Sequence, residues 1–459
     1  MSYLPRKISL SEWDDLYSRL KKSGFKESLY GGKLSRHLCN KDFRLQNLRF
    51  DNSAAALRLW NFLLTEEERL YESKRRGKKI IGAMKDLGTI PVMAFSLDNT
   101  VAFYPDGAWW TPCIMEMSDG LFKIAETLGI DESFCPVRAM LGAFLNKKHF
   151  PIPDLLICSV GAICDDFSAI AQRLSSLGFD IKWWEIPHRR HPEFYERRAK
   201  LPGGFIAPKI QIDFVKSELE RIKIEIEKIA SMKITDRLLK AGIKKANKVR
   251  MLLAEIREIV FTAERCPLPA LEEQIAEMLA IHFCSDLDET IETLNDLLRE
   301  IRCRVKNGWG FSDSSSVRVF WVNPVADLRA MNLLEECGGR LCGTDFLFFH
   351  ALDFIPENLP PVEALAYMAL ADPMVGSSLD RAQRILKEIK KFKSEAVIIS
   401  RIPGASHCAM ESDIIRNYIK ENSDIPTAET EVFSISDSLL PQIRNRIEPL
   451  IETVKHNRE

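Results

Sequence analysis

Apolar residues recur at two different spacings along this chain, and the change from one to the other divides it. Through roughly the first 85 residues they fall every three or four positions among Arg, Lys, Glu and Leu, as over 54–76, which predicts amphipathic helix. From Gly88 short apolar runs take over. Residues 89–95, 152–160 and 179–187 are predicted strands, and the helical stretch 166–177 separates the last two. Strand, helix, strand at these lengths makes a βαβ unit, and hence a parallel sheet with right-handed crossovers.

Helical periodicity returns over about 212–307, through Val215, Leu219, Ile222, Ile226 and Ile229, interrupted by the breakers at Cys266-Pro267-Leu268-Pro269. Beyond Gly308-Trp309-Gly310 the βα texture resumes. Strands are predicted at 317–322, 395–400 and 426–432, with a short strand or turn at 340–343. Helices are predicted at 327–337, 381–392, 411–420 and 439–454. The expected fold is α/β, with two flavodoxin/Rossmann-like parallel-sheet domains around a helical insert. The expected division is an N-terminal helical region (1–85), a first α/β domain (86–211), a helical segment (212–310) and a second α/β domain with a C-terminal helix (311–459).

A chain of 459 residues exceeds what one core usually holds, which agrees with several domains. Its net charge of −1 gives no general attraction to nucleic acid or acidic membranes. The run Lys74-Arg75-Arg76-Gly77-Lys78-Lys79 is either a solvated helix end or a phosphate contact. No apolar run approaches the ~20 residues of a membrane helix. Residues 1–7 carry a proline and charges where a signal peptide has its apolar region. A cytoplasmic protein is expected, without nucleic acid or membrane partners.

Eleven cysteines, odd in number and scattered, argue against a disulfide framework. Cys158 inside a strand and Cys337 in a helix read as small core residues, and Cys39, Cys113, Cys266, Cys284 and Cys303 have no supporting context. Cys135, Cys164 and Cys408 differ. Cys164 and Cys408 each follow a strand and open a helix, and Cys135 precedes Pro136-Val137-Arg138 at another helix start. A helix N-terminus lowers a thiol's pKa, and thiolate is the form that binds iron. In parallel sheets ligands gather beyond the carboxyl ends of the strands, so a cleft between the two α/β domains is the expected meeting place. Cys342, at another strand-to-loop junction, is the rival ligand. His407 is either a proton donor beside Cys408 or an ordinary hydrogen-bonded loop histidine. Arg138 is a cluster-facing cation or a structural ion pair. His188-Arg189-Arg190-His191 is a phosphate contact or a solvated loop. Trp109-Trp110 and Trp183-Trp184 read as core or interface aromatics. Neither Gly-x-Gly-x-x-Gly nor Gly-x-x-x-x-Gly-Lys-Ser/Thr occurs, so no ATP site of those kinds is expected.

Several segments in order resemble the 2-hydroxyacyl-CoA dehydratase and benzoyl-CoA reductase superfamily. They are Glu132-Ser133-Phe134-Cys135-Pro136-Val137-Arg138, then Ser159-Val160-Gly161-Ala162-Ile163-Cys164 with Trp184-Glu185-Ile186-Pro187. Ile399-Ser400-Arg401-Ile402-Pro403-Gly404-Ala405-Ser406-His407-Cys408 with Ile425-Pro426-Thr427-Ala428-Glu429-Thr430-Glu431 follows. Ile234-Thr235-Asp236 and Asn247-Lys248-Val249-Arg250 fit as well, and the likeness covers roughly residues 86–455. The family's Glu-x-Asp after the last strand is here Glu431-Val432-Phe433, without the aspartate. The resemblance implies a 4Fe-4S cluster on Cys135, Cys164 and Cys408 with one open iron position. It also implies a homologous or identical second subunit and a separate ATP-hydrolysing iron–sulfur activator. The implied reaction is low-potential radical chemistry of anaerobic metabolism on an acyl-CoA, either dehydration or ring reduction. Two other readings are a double-cluster reductase of a small molecule, which needs more cysteine ligands, and a non-catalytic scaffold subunit.

Overall fold

The computed structural model describes residues 4–25, 27–38, 44–84, 88–107, 118–325, 327–346, 352–431 and 437–459. Its frame is two four-stranded, all-parallel sheets. Two short strands, β1 (Lys7–Ile8) and β2 (Phe50–Asp51), pair antiparallel near the N-terminus. The first large sheet comprises β3 (Lys79–Met84), β4 (Thr100–Phe103), β5 (Leu155–Gly161) and β6 (Ile181–Ile186) in the order β4-β3-β5-β6. A hairpin, β7 (Arg198–Lys200) and β8 (Ile206–Pro208), follows. The second large sheet comprises β9 (Val317–Val322), β10 (Gly339–Asp345), β11 (Ala396–Arg401) and β12 (Thr427–Glu431), in the order β10-β9-β11-β12.

Both sheets thus run second, first, third, fourth in chain order. The first and third strands lie side by side while their outgoing connections leave in opposite directions, so a crevice opens beyond their carboxyl ends. Among the described residues that switch point occurs twice, at β3/β5 and at β9/β11. Most strand residues are buried, as covered parallel sheets require.

Four helices, Lys209–Ala230, Asp236–Thr262, Ala270–His282 and Leu287–Lys306, fill the span between the sheets in sequence. Asp236–Thr262 touches the helix Ile90–Phe95 of the first half and β10 of the second, so it joins the halves. The N-terminal segment is tied down by a fully buried ion pair, Arg304 to both oxygens of Asp51 at 2.6 and 2.8 Å.

Several local expectations are corrected. Residues 90–95 are helix, not strand: Pro91 sits in the first turn, where its missing N–H costs nothing. The strands flanking it are β3 and β4, and β3 begins at Lys79, inside the stretch read as N-terminal helix. It supplies an inner strand of the first sheet. The helix at 54–76 is two, Ala54–Leu64 and Glu66–Arg75, broken at Thr65. The short segment at 340–343 is part of a full strand, Gly339–Asp345, and Pro361–Ala371 is a helix without a sequence prediction.

Candidate functional site

The carboxyl ends of β5 and β11 lead directly to two of the three cysteines. At the end of β5, Gly161 takes φ 102°, and a Cβ there would lie 2.2 Å from the Ile186 carbonyl oxygen. Only glycine allows that approach, and the Ala162 N–H then donates to the same oxygen at 2.8 Å. This bend delivers Cys164 to the N-cap of the helix Asp165–Ser176. After β11, Gly404 turns at φ 81°, and Cys408 lies in a π-helical turn, Ser406–Met410, which runs into the helix Glu411–Asn422. Cys135 caps a 3₁₀ turn, Pro136–Arg138, on the β4–β5 connection.

The structure brings these three segments together. A Cβ on Gly404 would fall 1.9 Å from the Ser133 carbonyl oxygen, so the Cys408 loop rests against the Cys135 loop. Cys135 packs with Ile402, Ala405 and Cys408 in one apolar cluster. Cys164 completes the group electrostatically, because its charge bears on both Cys135 and Cys408. Cys408 is buried and the other two are partly so. Burial pushes the Cys135 thiol well up, and the neighbouring Cys164, Asp166 and Cys408 push it further. Burial also raises Cys408, with the nearby Arg381 guanidinium opposing. The expectation that helix ends lower these two pKa values is therefore corrected. A three-residue turn and a π turn offer little dipole, and desolvation dominates. As three bare thiolates they repel one another, so the charged form needs a compensating cation. Among the described residues, no group of three or more His, Cys, Asp or Glu side chains is disposed to hold a single metal ion.

Around Cys408 runs a buried polar network that sequence reasoning missed. Arg381, on the helix Ser378–Lys391, donates to Asp345 Oδ2 at 2.6 and 2.9 Å, to Glu411 Oε2 at 2.7 Å and to Asn323 Oδ1 at 2.6 Å. Asn323, at φ 65° just past β9, donates from Nδ2 to Ser400 O at 2.8 Å and Cys408 O at 3.4 Å. It thereby fixes the Cys408 turn over the β9/β11 crevice. His407 Nδ1 pairs with Glu411 Oε1 at 3.1 Å, so its ring is engaged in this network. Burial alone would raise the Glu411 carboxyl, but the His407 hydrogen bond and the Arg381 charge outweigh it and hold it at about 2. Only a strand-end Asn and an Arg on the inner face of an amphipathic helix signalled this network.

The other candidates lie apart. Cys342 sits in β10 with Sγ toward Phe392 O and Ser394 Oγ, away from the trio. Cys337 ends the helix Arg329–Glu336, Cys266 and Cys284 are buried elsewhere, Cys303 is exposed, and Cys39 and Cys113 lie outside the described residues. Arg138 donates to Phe134 O at 2.9 Å and lies over the Phe122 ring, holding the Cys135 turn with no ion pair to a described residue. Arg189 is no solvated loop residue. Its guanidinium donates to Leu370 O at 2.7 Å, Asp372 O at 3.1 Å and Asp380 Oδ2 at 3.3 Å, latching the end of the first sheet onto the second half. Arg190 pairs with Glu196 at the surface. Trp184 is core and Trp183 partly buried, while Trp109-Trp110 lie outside the described residues. Arg75, Arg76 and Lys78 line a cavity of about 480 Å³ with Glu68, Glu72, Asp98 and Asp286, so the basic run meets balancing acids rather than an anion site. No helix among the described residues is long and apolar enough to cross a membrane.

No curated protein matches the chain. A family model described as 2-hydroxyglutaryl-CoA dehydratase, D-component, matches residues 92–454, which takes in both sheets except β3 and all three clustered cysteines. The protein is thus a component of a 2-hydroxyacyl-CoA dehydratase-type enzyme, and the chain belongs to the 2-hydroxyglutaryl-CoA dehydratase D-component family.

Proposed function

We propose that this chain is a cluster-binding subunit of a radical dehydratase acting on a 2-hydroxyacyl-CoA thioester, with Cys135, Cys164 and Cys408 as ligands of one 4Fe-4S cluster. The observation that carries this reading is the convergence of three thiols from both halves at the paired switch points. The donor set fits the group. Three mutually repelling, largely desolvated thiols suit a cationic guest, and a cluster spreads its ligands over several irons, so they need not surround one ion. Bound there, the cluster supplies single low-potential electrons and one iron without a cysteine, open to an oxygen ligand.

The chain's own residues hold that arrangement and keep it dry. Gly161, Gly404 and Asn323 fix the three ligand-bearing turns. Arg381 sets a permanent buried positive charge near Cys408, which favours the thiolate. Ile402 and Ala405 cover Cys408 and exclude water from its sulfur. His407, held by Glu411 one residue from Cys408, is the candidate for proton exchange with the substrate. The resemblance to the superfamily supplies a separate ATP-hydrolysing iron–sulfur activator and a second, homologous or identical subunit, and the lack of a Gly-x-x-x-x-Gly-Lys-Ser/Thr loop in the sequence agrees with a separate activator. The family match favours dehydration over ring reduction.

The test is turnover. Purified without oxygen and combined with its partner subunit and an ATP-dependent activator, the protein is expected to convert 2-hydroxyacyl-CoA to enoyl-CoA and water. Cys408→Ser is expected to abolish this. Full activity in all three Cys→Ser variants would assign the chain a scaffold role instead.

A further inference from the structure

Beyond the carboxyl ends of β11 and β12 lies a crevice of about 600 Å³, where parallel sheets gather their ligands. Its floor is Arg401, the last residue of β11, in register with Glu431 of β12, and Glu429 on the same face of that strand. Its wall is one face of the helix Leu440–Arg458, where Gln442, Asn445 and Arg446 are neighbours across one turn. The residue after Arg401 is Ile402, which packs on Cys408, so the crevice adjoins the loop that carries this thiol. Elsewhere on the same helix the arginines are paired, Arg444 with Glu336 and Arg458 with Glu395. Among the described residues, the side chains of Arg446, Glu431, Gln442 and Asn445 have no hydrogen-bond or ion-pair partner, although Arg446 and Glu431 carry opposite charges in one crevice. Glu429 is half engaged. Its Oε2 accepts from Arg416 at 2.8 Å and lies 3.7 Å from Arg401, while its Oε1 is buried without a partner. A buried acceptor of that kind is costly until a donor reaches it.

Two arginines face two glutamates in the crevice, so its charge is balanced and donors stand beside acceptors. A phosphate chain filling it would meet both carboxylates at close range, which is unfavourable. A neutral chain of amides, offering N–H and C=O groups together, suits this lining, and the volume is that of a small-molecule site. We propose that the crevice holds the pantetheine arm of the acyl-CoA, its two amides between the glutamates of β12 and the side-chain amides of the helix. Arg446, exposed at the outer end, then meets the diphosphate. The thioester end of the arm lies past Arg401, on the side of the Cys408 loop. This rests on the acyl-CoA reading above and assigns it the residues that grip the carrier.

The experiment measures binding of CoA, pantetheine and ADP by calorimetry to the assembled enzyme, prepared without oxygen. Pantetheine carries the amides without the diphosphate, and ADP the diphosphate without the amides. Wild type is compared with Arg446→Ala, Arg446→Lys, the double variant Gln442→Ala/Asn445→Ala, and Arg444→Ala as a control on the same helix. Gln442, Asn445 and Arg446 are all exposed, so these variants are expected to melt with wild type. Arg446→Ala is expected to weaken CoA about 10-fold, as loss of a charged hydrogen bond does, and to leave pantetheine unchanged. Arg446→Lys is expected to recover part of that loss. The double variant is expected to weaken CoA and pantetheine alike by roughly 5-fold, and Arg444→Ala to match wild type. CoA affinity unchanged in Arg446→Ala or in the double variant would overturn the proposal. So would ADP binding to wild type as tightly as CoA, which would mark a site for phosphates alone. Wild type that binds neither CoA nor pantetheine would instead overturn the acyl-CoA reading itself.

Discussion

Replacing Gly404 by alanine tests whether the Cys408 loop rests on the Cys135 loop. At φ 81° any side chain pays the left-handed penalty of about 1 kcal/mol. A Cβ would then lie 1.9 Å from the Ser133 carbonyl oxygen and 3.0 Å from the Phe134 Cα, both backbone atoms that cannot rotate away. Restoring an ordinary contact requires the loops to part by roughly 1 Å, against the ~0.5 Å tolerance of a preorganised site. Gly129→Ala is the matched control, since Gly129 has φ 80° with nothing within 4 Å. Thermal melting should place Gly404→Ala about 1–2 kcal/mol below that control, the remainder being the clash. Reconstitution at limiting iron should show at least ~10-fold weaker retention for Gly404→Ala. Equal melting and equal iron retention in the two variants would refute the contact.

Arg381→Met should cost about 3–5 kcal/mol by stranding the buried Asp345 and Glu411 carboxylates, and should move the potential of the proposed cluster to more negative values; a thermal melt and a redox titration read the two effects. Arg189→Ala should loosen the latch between the halves, seen as faster proteolysis near Asp372–Asp380 and a loss of about 2–4 kcal/mol. On the acid side, burial lowers His37 and His149 to about 4 from an ordinary 6.5. The unfolded chain then binds the extra protons, so stability is whole above pH ~6.5 and falls by about 3 kcal/mol per histidine toward pH ~4; His37→Gln should remove one share in pH-dependent melts. On the alkaline side, burial and then the Glu277 charge raise the Glu273 carboxyl, so the stability of its neutral form is present at low pH and lost as pH rises through neutrality; Glu273→Gln should flatten that arm.

Much of the frame was legible because its periodicities are plain. β5, β9, β11 and the long helices show clear apolar runs or helical spacing, and the cysteine contexts sit at their ends. What failed did so for identifiable reasons. Residues 90–95 are an apolar run too short for its period to separate helix from strand, and Pro91 decided for helix. β3 hid behind the basic run Lys74–Lys79, whose charges resemble a solvated surface although its last residue opens a strand. Arg381, Arg189 and Asp166 are ordinary charges in sequence; only tertiary packing reveals that each is buried against specific partners. The pKa direction at Cys135 and Cys408 was misjudged because a helix end is visible in sequence, whereas desolvation by other segments is not.

Iron and acid-labile sulfide per chain, measured on protein prepared without oxygen, test the central claim most directly. The account expects about four of each, falling in Cys135→Ser, Cys164→Ser and Cys408→Ser but not in Cys342→Ser, whose thiol faces Phe392 and Ser394. Well-folded wild-type protein without iron, or a count that the three substitutions leave unchanged, would contradict it.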